Sequence, residues 1–266
     1  MGLKNLSIIQ YQNISQIPDI QRLWLPVNAF TKQVDYFSRN HFRVLSFDEA
    51  MDFMERKTSI THERPISLTF DNGYMEFYKL AFPLLEENTF PCTVLISPLK
   101  VGRSVHIGNQ SVPYLSWSNL RELVENNVTI GAYEDNKWNI NQIDEYQVLS
   151  HIRDFKKQME DKLGVTVRYF GVKEGLPNRR IRDQLISEGY RAFLTQCPTY
   201  RRPDPYSIGR IQVDDDDFNI FLTKISRTYL FFKDRRSWKY IRKYGLDKIA
   251  HWVSETFDSI RGVEKN

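Results

Sequence analysis

Arg64-Pro65-Ile66-Ser67-Leu68-Thr69-Phe70-Asp71-Asn72-Gly73-Tyr74 is the stretch on which the reading of this chain turns. Residues 66–70 form an apolar, β-branched run of strand length, and Asp71-Asn72-Gly73 behind them is turn chemistry. Together they read as a buried strand that delivers a carboxylate to its carboxyl end. In parallel α/β architectures that end is where ligands gather.

Runs of the same kind stand at residues 6–9, 92–96, 128–130, 167–170 and 192–194. Between them lie helical patterns over residues 77–87, 117–126, 143–163 and 179–188. Ser116 offers a hydroxyl to the open amides of the helix behind it, and Gly164 and Gly189 suit left-handed caps at two helix ends. Strands alternating with helices predict βα units around a mostly parallel sheet.

The 266 residues carry 37 Lys and Arg against 33 Asp and Glu, a formal net charge of +4, and 41% are hydrophobic. So apolar a chain can bury enough surface to offset its ordering entropy, which argues against long disorder. The length suits a single barrel of about 250 residues, and no repeat or Pro/Gly/Ser-rich linker divides it. The charge excess is too small to point to a nucleic acid, and none is expected as a partner. Cys92 and Cys197 stand too far apart in sequence for a metal knuckle and read as buried small apolar residues. Neither a secretory leader nor an apolar run of about 20 residues is visible, so the sequence as it stands reads as cytoplasmic.

The deciding stretch, continued by Phe82-Pro83-Leu84-Leu85 and Phe90-Pro91-Cys92-Thr93-Val94, resembles the NodB-homology polysaccharide deacetylases, carbohydrate esterase family 4. In that family a strand ends in Thr-Phe-Asp-Asp-Gly and leads through a helix into a Phe-Pro-Ala-Thr strand. Upstream, Ile9-Gln10-Tyr11-Gln12-Asn13-Ile14 is similar to the family's opening Tyr-His-x-Ile strand. Downstream, Arg168-Tyr169-Phe170 with Gly175 resembles its Arg-x-Phe…Pro-x-Gly groove motif, and 205–211 its late Pro-Arg-Ile strand. The resemblance implies an α/β fold, a distorted (β/α) barrel over residues 1–222. Residues 223–266 would form a basic and aromatic helical extension packed on the same domain.

Carried over position by position, the family's general base matches Asp71, a relic base here. Its metal carboxylate becomes Asn72, and its two histidines fall on Tyr133 and Lys137. A hydrolytic zinc wants imidazole or carboxylate donors and an open position for water. A carboxamide, a phenol and an ammonium do not supply them, so no metal or other cofactor is expected, although the family would use a divalent ion such as zinc. Gln12 replaces the opening histidine, and Lys173-Glu174-Gly175 replaces Pro-x-Gly.

Lys137 is a candidate partner for Asp71, an ammonium in place of the dication. Tyr11, Tyr74, Tyr133 and Trp138 read as aromatics exposed near strand ends, with Tyr74, Trp138 and Arg168 the expected sugar-binding residues. Glu134 and Asp135 form a carboxylate pair that topology would bring near Asp71. The run Asp214 to Asp217 reads as a strand end entering a helix cap rather than a calcium site. Residues 224–244 mix basic and aromatic side chains, read first as a cover on the barrel and second as a membrane-surface contact. The function expected is a deacetylase-like protein of polysaccharide metabolism. It would be a pseudoenzyme binding a polysaccharide, oligosaccharide or polysaccharide-assembly protein through the relic cleft. The alternative is an active carbohydrate deacetylase using Asp71 without metal or with relocated ligands.

Overall fold

β5 (Arg64–Asp71) is the strand expected from the deciding stretch and is buried from Pro65 onward. It pairs in parallel with β1 (Ser7–Tyr11), with the short β4 (Phe42–Val44) and with β6 (Cys92–Ile96). Beyond β6 the sheet continues through β9 (Thr129–Asn139), β10 (Tyr169–Glu174) and β11 (Ala192–Thr195) to β12 (Ile208–Gly209). On the other side β1 pairs with β13 (Ile211–Val213). Every pairing in this sheet is parallel. The computed structural model describes residues 6–16, 24–60, 63–196, 204–213 and 217–226, with the side chains of 135–138 left out.

The two edge strands, β12 and β13, are consecutive in sequence with Arg210 alone between them. The chain therefore passes from one edge of the sheet to the other at a single residue, and the eight-stranded path is a nearly closed (β/α) barrel, as expected. The Arg210 amide donates to the Thr195 carbonyl at 2.9 Å, which extends the β11 side of this seam.

Strand residues alternate between lumen and outer face. Ile8, Leu95, Tyr133, Tyr169, Ala192, Leu194 and Ile208 share one interior cluster with Phe47 and Met51 of α2 (Phe47–Met54). That helix thus closes the amino-terminal end of the barrel. Its start is fixed by a capping box, in which Ser46 and Glu49 satisfy each other's open groups. The outward residues, such as Ile9, Leu68, Phe70, Val94 and Phe170, meet the surrounding helices in the larger core.

Those helices are α1 (Val27–Arg39), α3 (Phe82–Glu87), α4 (Trp117–Glu125), α5 (Glu145–Leu163), α6 (Arg179–Ser187) and α7 (Phe218–Ile225). Ser116 caps α4, and Gly164 ends α5 at φ 70°, as read from the sequence. The expected helix over 77–87 divides into a π-helical turn, Phe77–Ala81, and α3, because Pro83 has no amide to carry one regular ladder through. Asp217 caps α7 through its side chain, in keeping with the cap reading of the aspartate run. Two small ribbons complete the described chain: the parallel pair β2 (Asn13–Ser15) and β3 (Trp24–Pro26), and the antiparallel hairpin β7 (Ser104–Ile107) and β8 (Gln110–Pro113).

His106 stands in β7. Residues 227–266, with most of the expected extension and His251, lie outside the described residues, as do His62, Cys197 and Asp214–Asp216. Cys92 is free and buried. Among the described residues no helix is long and apolar enough to cross a membrane.

Candidate functional site

Asp71 ends β5 with its side chain turned into the carboxyl-end mouth of the barrel, where it is 2% exposed. The chain must then turn sharply. Asn72 and Gly73 both take left-handed backbone, at φ 68° and 67°, and the Gly73 carbonyl accepts from the Leu115 amide at 2.9 Å. A Cβ at Gly73 would stand 2.4 Å from Ile96 Cδ1, so this position demands glycine twice over.

Two side chains converge on the carboxylate. Arg210, projecting inward from the seam, donates through Nη1 to Asp71 Oδ1 at 2.6 Å and through Nη2 to Oδ2 at 3.0 Å. Gln10 of β1, in register with Thr69, donates through Nε2 to Oδ2 at 2.5 Å. The guanidinium also reaches the Val172 carbonyl at 3.1 Å, which ties β10 to the same point. Both side chains of the Asp71–Arg210 pair are fully buried. Forked guanidinium–carboxylate geometry of this kind is the strongest form of charged hydrogen bond.

Around this pair the upper lumen is polar while the lower lumen is apolar. Gln196 of the β11 end donates to Gln212 of β13 at 2.6 Å. Lys173 occupies the inward position of β10 above Gly171. Burial lowers the affinity of its amine for a proton, with the Asp71 and Glu174 charges acting the other way. Gln12 and Asn13, at the mouth end of β1, are buried, and the Gln12 Nε2 and both Asn13 amide atoms have no hydrogen-bond partner among the described residues.

The expected residues separate into groups. Asp71 and Asn72 stand at the mouth, and Tyr133 projects into the lumen beside Gly171, buried rather than exposed. The side chains of Lys137 and Trp138, and therefore the Lys137–Asp71 pairing, fall outside the described side chains, although both residues belong to the backbone of β9. Arg210 occupies the role of Asp71's cation instead. Tyr74 does not present an open ring: it is 9% exposed, stacked on Tyr114 at 4.9 Å and packed against Trp24. Tyr11 is buried too, its hydroxyl donating to Gln33 at 2.8 Å.

Arg168 precedes β10 and so stands at the opposite end of the barrel from Asp71, where Asp48 of α2 accepts both of its bonds at 3.0 Å. It does not reach the mouth. Glu134 follows the inward Tyr133 and therefore turns outward, to a hydrogen bond with His151 on α5. It does not join Asp71.

A divalent metal can be tested against these donors. Both Asp71 oxygens already accept from a fixed cation, and Asn72 offers a neutral carbonyl in place of a carboxylate. Among the described residues no group of three His, Cys, Asp or Glu side chains is placed to hold an ion. The donor set does not fit a hydrolytic zinc.

A parallel barrel with an aspartate at the end of a central strand is the architecture of NodB-type deacetylases. The family model for polysaccharide deacetylases matches residues 58–193, and the chain belongs to that family. Over 212 residues it is 21% identical to YxkH of Bacillus subtilis (strain 168), whose name places it among the polysaccharide deacetylases. That match covers 78% of this chain and 71% of the relative. IcaB from Ammonifex degensii superposes with a TM-score of 0.68 at 21% identity, over 79% of this chain and 91% of that one. The polysaccharide deacetylase BC0361 from Bacillus cereus gives 0.65 at 18% identity, over 83% and 68%. These structural likenesses concern the fold. Arg210, Gln10 and Lys173 are the mouth residues the sequence left without roles.

Proposed function

We propose that this protein is a polysaccharide-binding member of the deacetylase family in which metal-dependent hydrolysis has been lost. The observation that carries this reading is the clamp on Asp71. A general base must present a free lone pair to the water it activates. A carboxylate offers about four acceptor positions, and here three are filled by Arg210 and Gln10. The same bonds occupy the oxygens that a metal-bound water would need nearby. Replacing the dication by a guanidinium preserves charge balance in the lumen but supplies neither a Lewis acid nor an acidified water.

The amide-rich mouth supports a ligand with many hydroxyl groups. Gln10, Gln12 and Asn13 each combine donor and acceptor on one planar group, a pattern suited to neighbouring hydroxyls of a sugar. The test combines metal analysis of the purified protein with acetate release from N-acetylglucosamine oligomers, with and without chelator. The expected result is less than stoichiometric metal and no acetate, while the oligomers still bind. Stoichiometric zinc with chelator-sensitive turnover would overturn the proposal. Turnover insensitive to chelator would instead assign Asp71 a catalytic role without metal.

A further inference from the structure

We infer that the mouth end of the barrel carries a second saccharide contact, separate from the Asp71 site. It is built on Tyr146 and Leu176 around Arg180 and stacks on the apolar faces of pyranose rings. The inference rests on the polysaccharide-binding reading above and names where the chain would lie beyond the lumen.

Among the described residues the large apolar side chains left exposed are Leu99, Tyr146, Leu176 and Ile186. Scattered singly, such residues need no explanation. These are not scattered. Leu99 follows β6, Tyr146 stands in the first turn of α5 behind β9, and Leu176 follows β10, so three of the four share the mouth end. Ile186, near the end of α6, belongs to the opposite end.

Tyr146 is 71% exposed, yet its surroundings are fixed. The Arg180 guanidinium lies 5.6 Å from the ring centre. Arg180 in turn donates to Glu145 Oε2 at 2.5 Å, and Glu145 Oε1 accepts from Asn178 Nδ2 at 2.7 Å. Asn178 is held from its other side, because its Oδ1 caps α6 by accepting from the Ile181 amide at 3.0 Å. Leu176 is placed by Gly175, which has φ 96°. A Cβ there would meet Asn139 Oδ1 at 2.5 Å and Ile140 Cγ2 at 2.7 Å, so only glycine lets this loop seat on the end of β9.

An aromatic and an aliphatic group are thus ordered before any ligand arrives, which lowers the entropic cost of binding. The groups fixed beside Tyr146 are charged and amide groups, Arg180, Glu145 and Asn178. A protein partner's interface core requires contiguous apolar surface. A pyranose, with an apolar ring face inside a rim of hydroxyls, matches alternating apolar and hydrogen-bonding groups.

The test is titration calorimetry of the full chain with N-acetylglucosamine oligomers, on the unmodified protein and on Tyr146→Ala, Tyr146→Trp, Leu176→Ala and Ile186→Ala. Loss of one ring contact should weaken binding by about 2- to 12-fold in Tyr146→Ala. Leu176→Ala should weaken it less, Tyr146→Trp should keep it, and Ile186→Ala should leave it unchanged. Unchanged affinity in Tyr146→Ala would overturn this inference while leaving the polysaccharide reading intact. No binding by the unmodified protein would overturn both. Should Tyr146→Ala bind normally but sediment as a smaller species, the surface would belong to a second copy of the chain.

Discussion

Removing the charge of Asp71 separates a structural carboxylate from a catalytic one. In Asp71→Asn the Arg210 guanidinium keeps its buried position but loses the negative charge of Asp71, along with one of the two charged hydrogen bonds that join them. With charge centres roughly 4 Å apart and an effective dielectric near 20, the attraction forfeited is about 4 kcal/mol before desolvation. Breaking a fully buried pair from one side costs about 3–5 kcal/mol for the same reason, since the remaining charge stays out of water. Arg210→Met should cost a similar amount, because Asp71 would then keep the Gln10 bond but lose its guanidinium. In Asp71→Leu/Arg210→Met neither charge is left behind, so the double variant should be more stable than the sum of its singles by at least about 2 kcal/mol. Urea unfolding followed by tryptophan fluorescence reads these differences as midpoint shifts at constant slope. A carboxylate kept for chemistry alone would behave in the opposite way, and its removal would be neutral or stabilising. A stable Asp71→Asn, or strict additivity in the double variant, would therefore refute the clamp as the reason Asp71 is buried.

Three further outcomes follow from the same geometry. Gly73→Ala should cost about 2–4 kcal/mol in urea unfolding, from left-handed strain plus overlap with the buried Ile96. Gly108→Ala, at φ 58° with nothing within 4 Å, should cost only the strain, about 1–2 kcal/mol. Burial pushes the Asp48 carboxyl up, but hydrogen bonds from Tyr169, Arg191 and Arg168 outweigh it and hold the group below the usual carboxylate range. Its stabilisation is therefore present above about pH 4 and lost as the pH falls below that, so Asp48→Asn should unfold earlier than wild type at neutral pH and converge with it in acid. Burial also pushes the Cys92 thiol up, so iodoacetamide should leave Cys92 unmodified in the native protein and label it after unfolding, as read by peptide mass mapping.

Much of the barrel is legible in the chain because its central strands are buried on both faces and leave continuous apolar runs. The runs at 66–70 and 92–96 become β5 and β6, with β6 ending where the pattern ends. Helix ends with a local chemical cause, Ser116 and Gly164, are legible for that cause. The seam is not. β12 and β13 have two and three residues, too few for any periodicity, and each is recognised as a strand only by the neighbour it pairs with, β11 and β1. Arg210 sits in a segment whose resemblance was visible, but its partner is 139 residues away, and no local pattern encodes that distance. Arg168 misleads for a related reason: the motif places it beside β10, while the direction of the strand places it at the wrong end for the mouth. Tyr74 fails through packing, since the β7–β8 hairpin brings Tyr114 over its ring.

The lumen itself explains why the aspartate at the end of β5 needs a fixed cation beside it. Below the mouth, Leu95, Tyr133, Tyr169 and Leu194 fill the interior, so a carboxylate at the end of β5 is surrounded by side chains rather than water. Such a group needs a fixed positive charge or it will take up a proton. A dication bound by neighbouring histidines meets that need and creates chemistry. A guanidinium meets it with less charge. Arg210 is well placed to do so because it is the residue at which the sheet closes, so the ion pair joins the seam to β5, two strands along from β13. In this arrangement the carboxylate fastens the barrel, and its removal should be felt first at the seam, where β12 pairs with β11 and β13 with β1. Hydrogen exchange should therefore show lost protection at the amides of Arg210 and its seam neighbours in Asp71→Asn before any loss in β5 and β6. Uniform loss across all strands would mean that the pair supports the lumen as a whole rather than its closure.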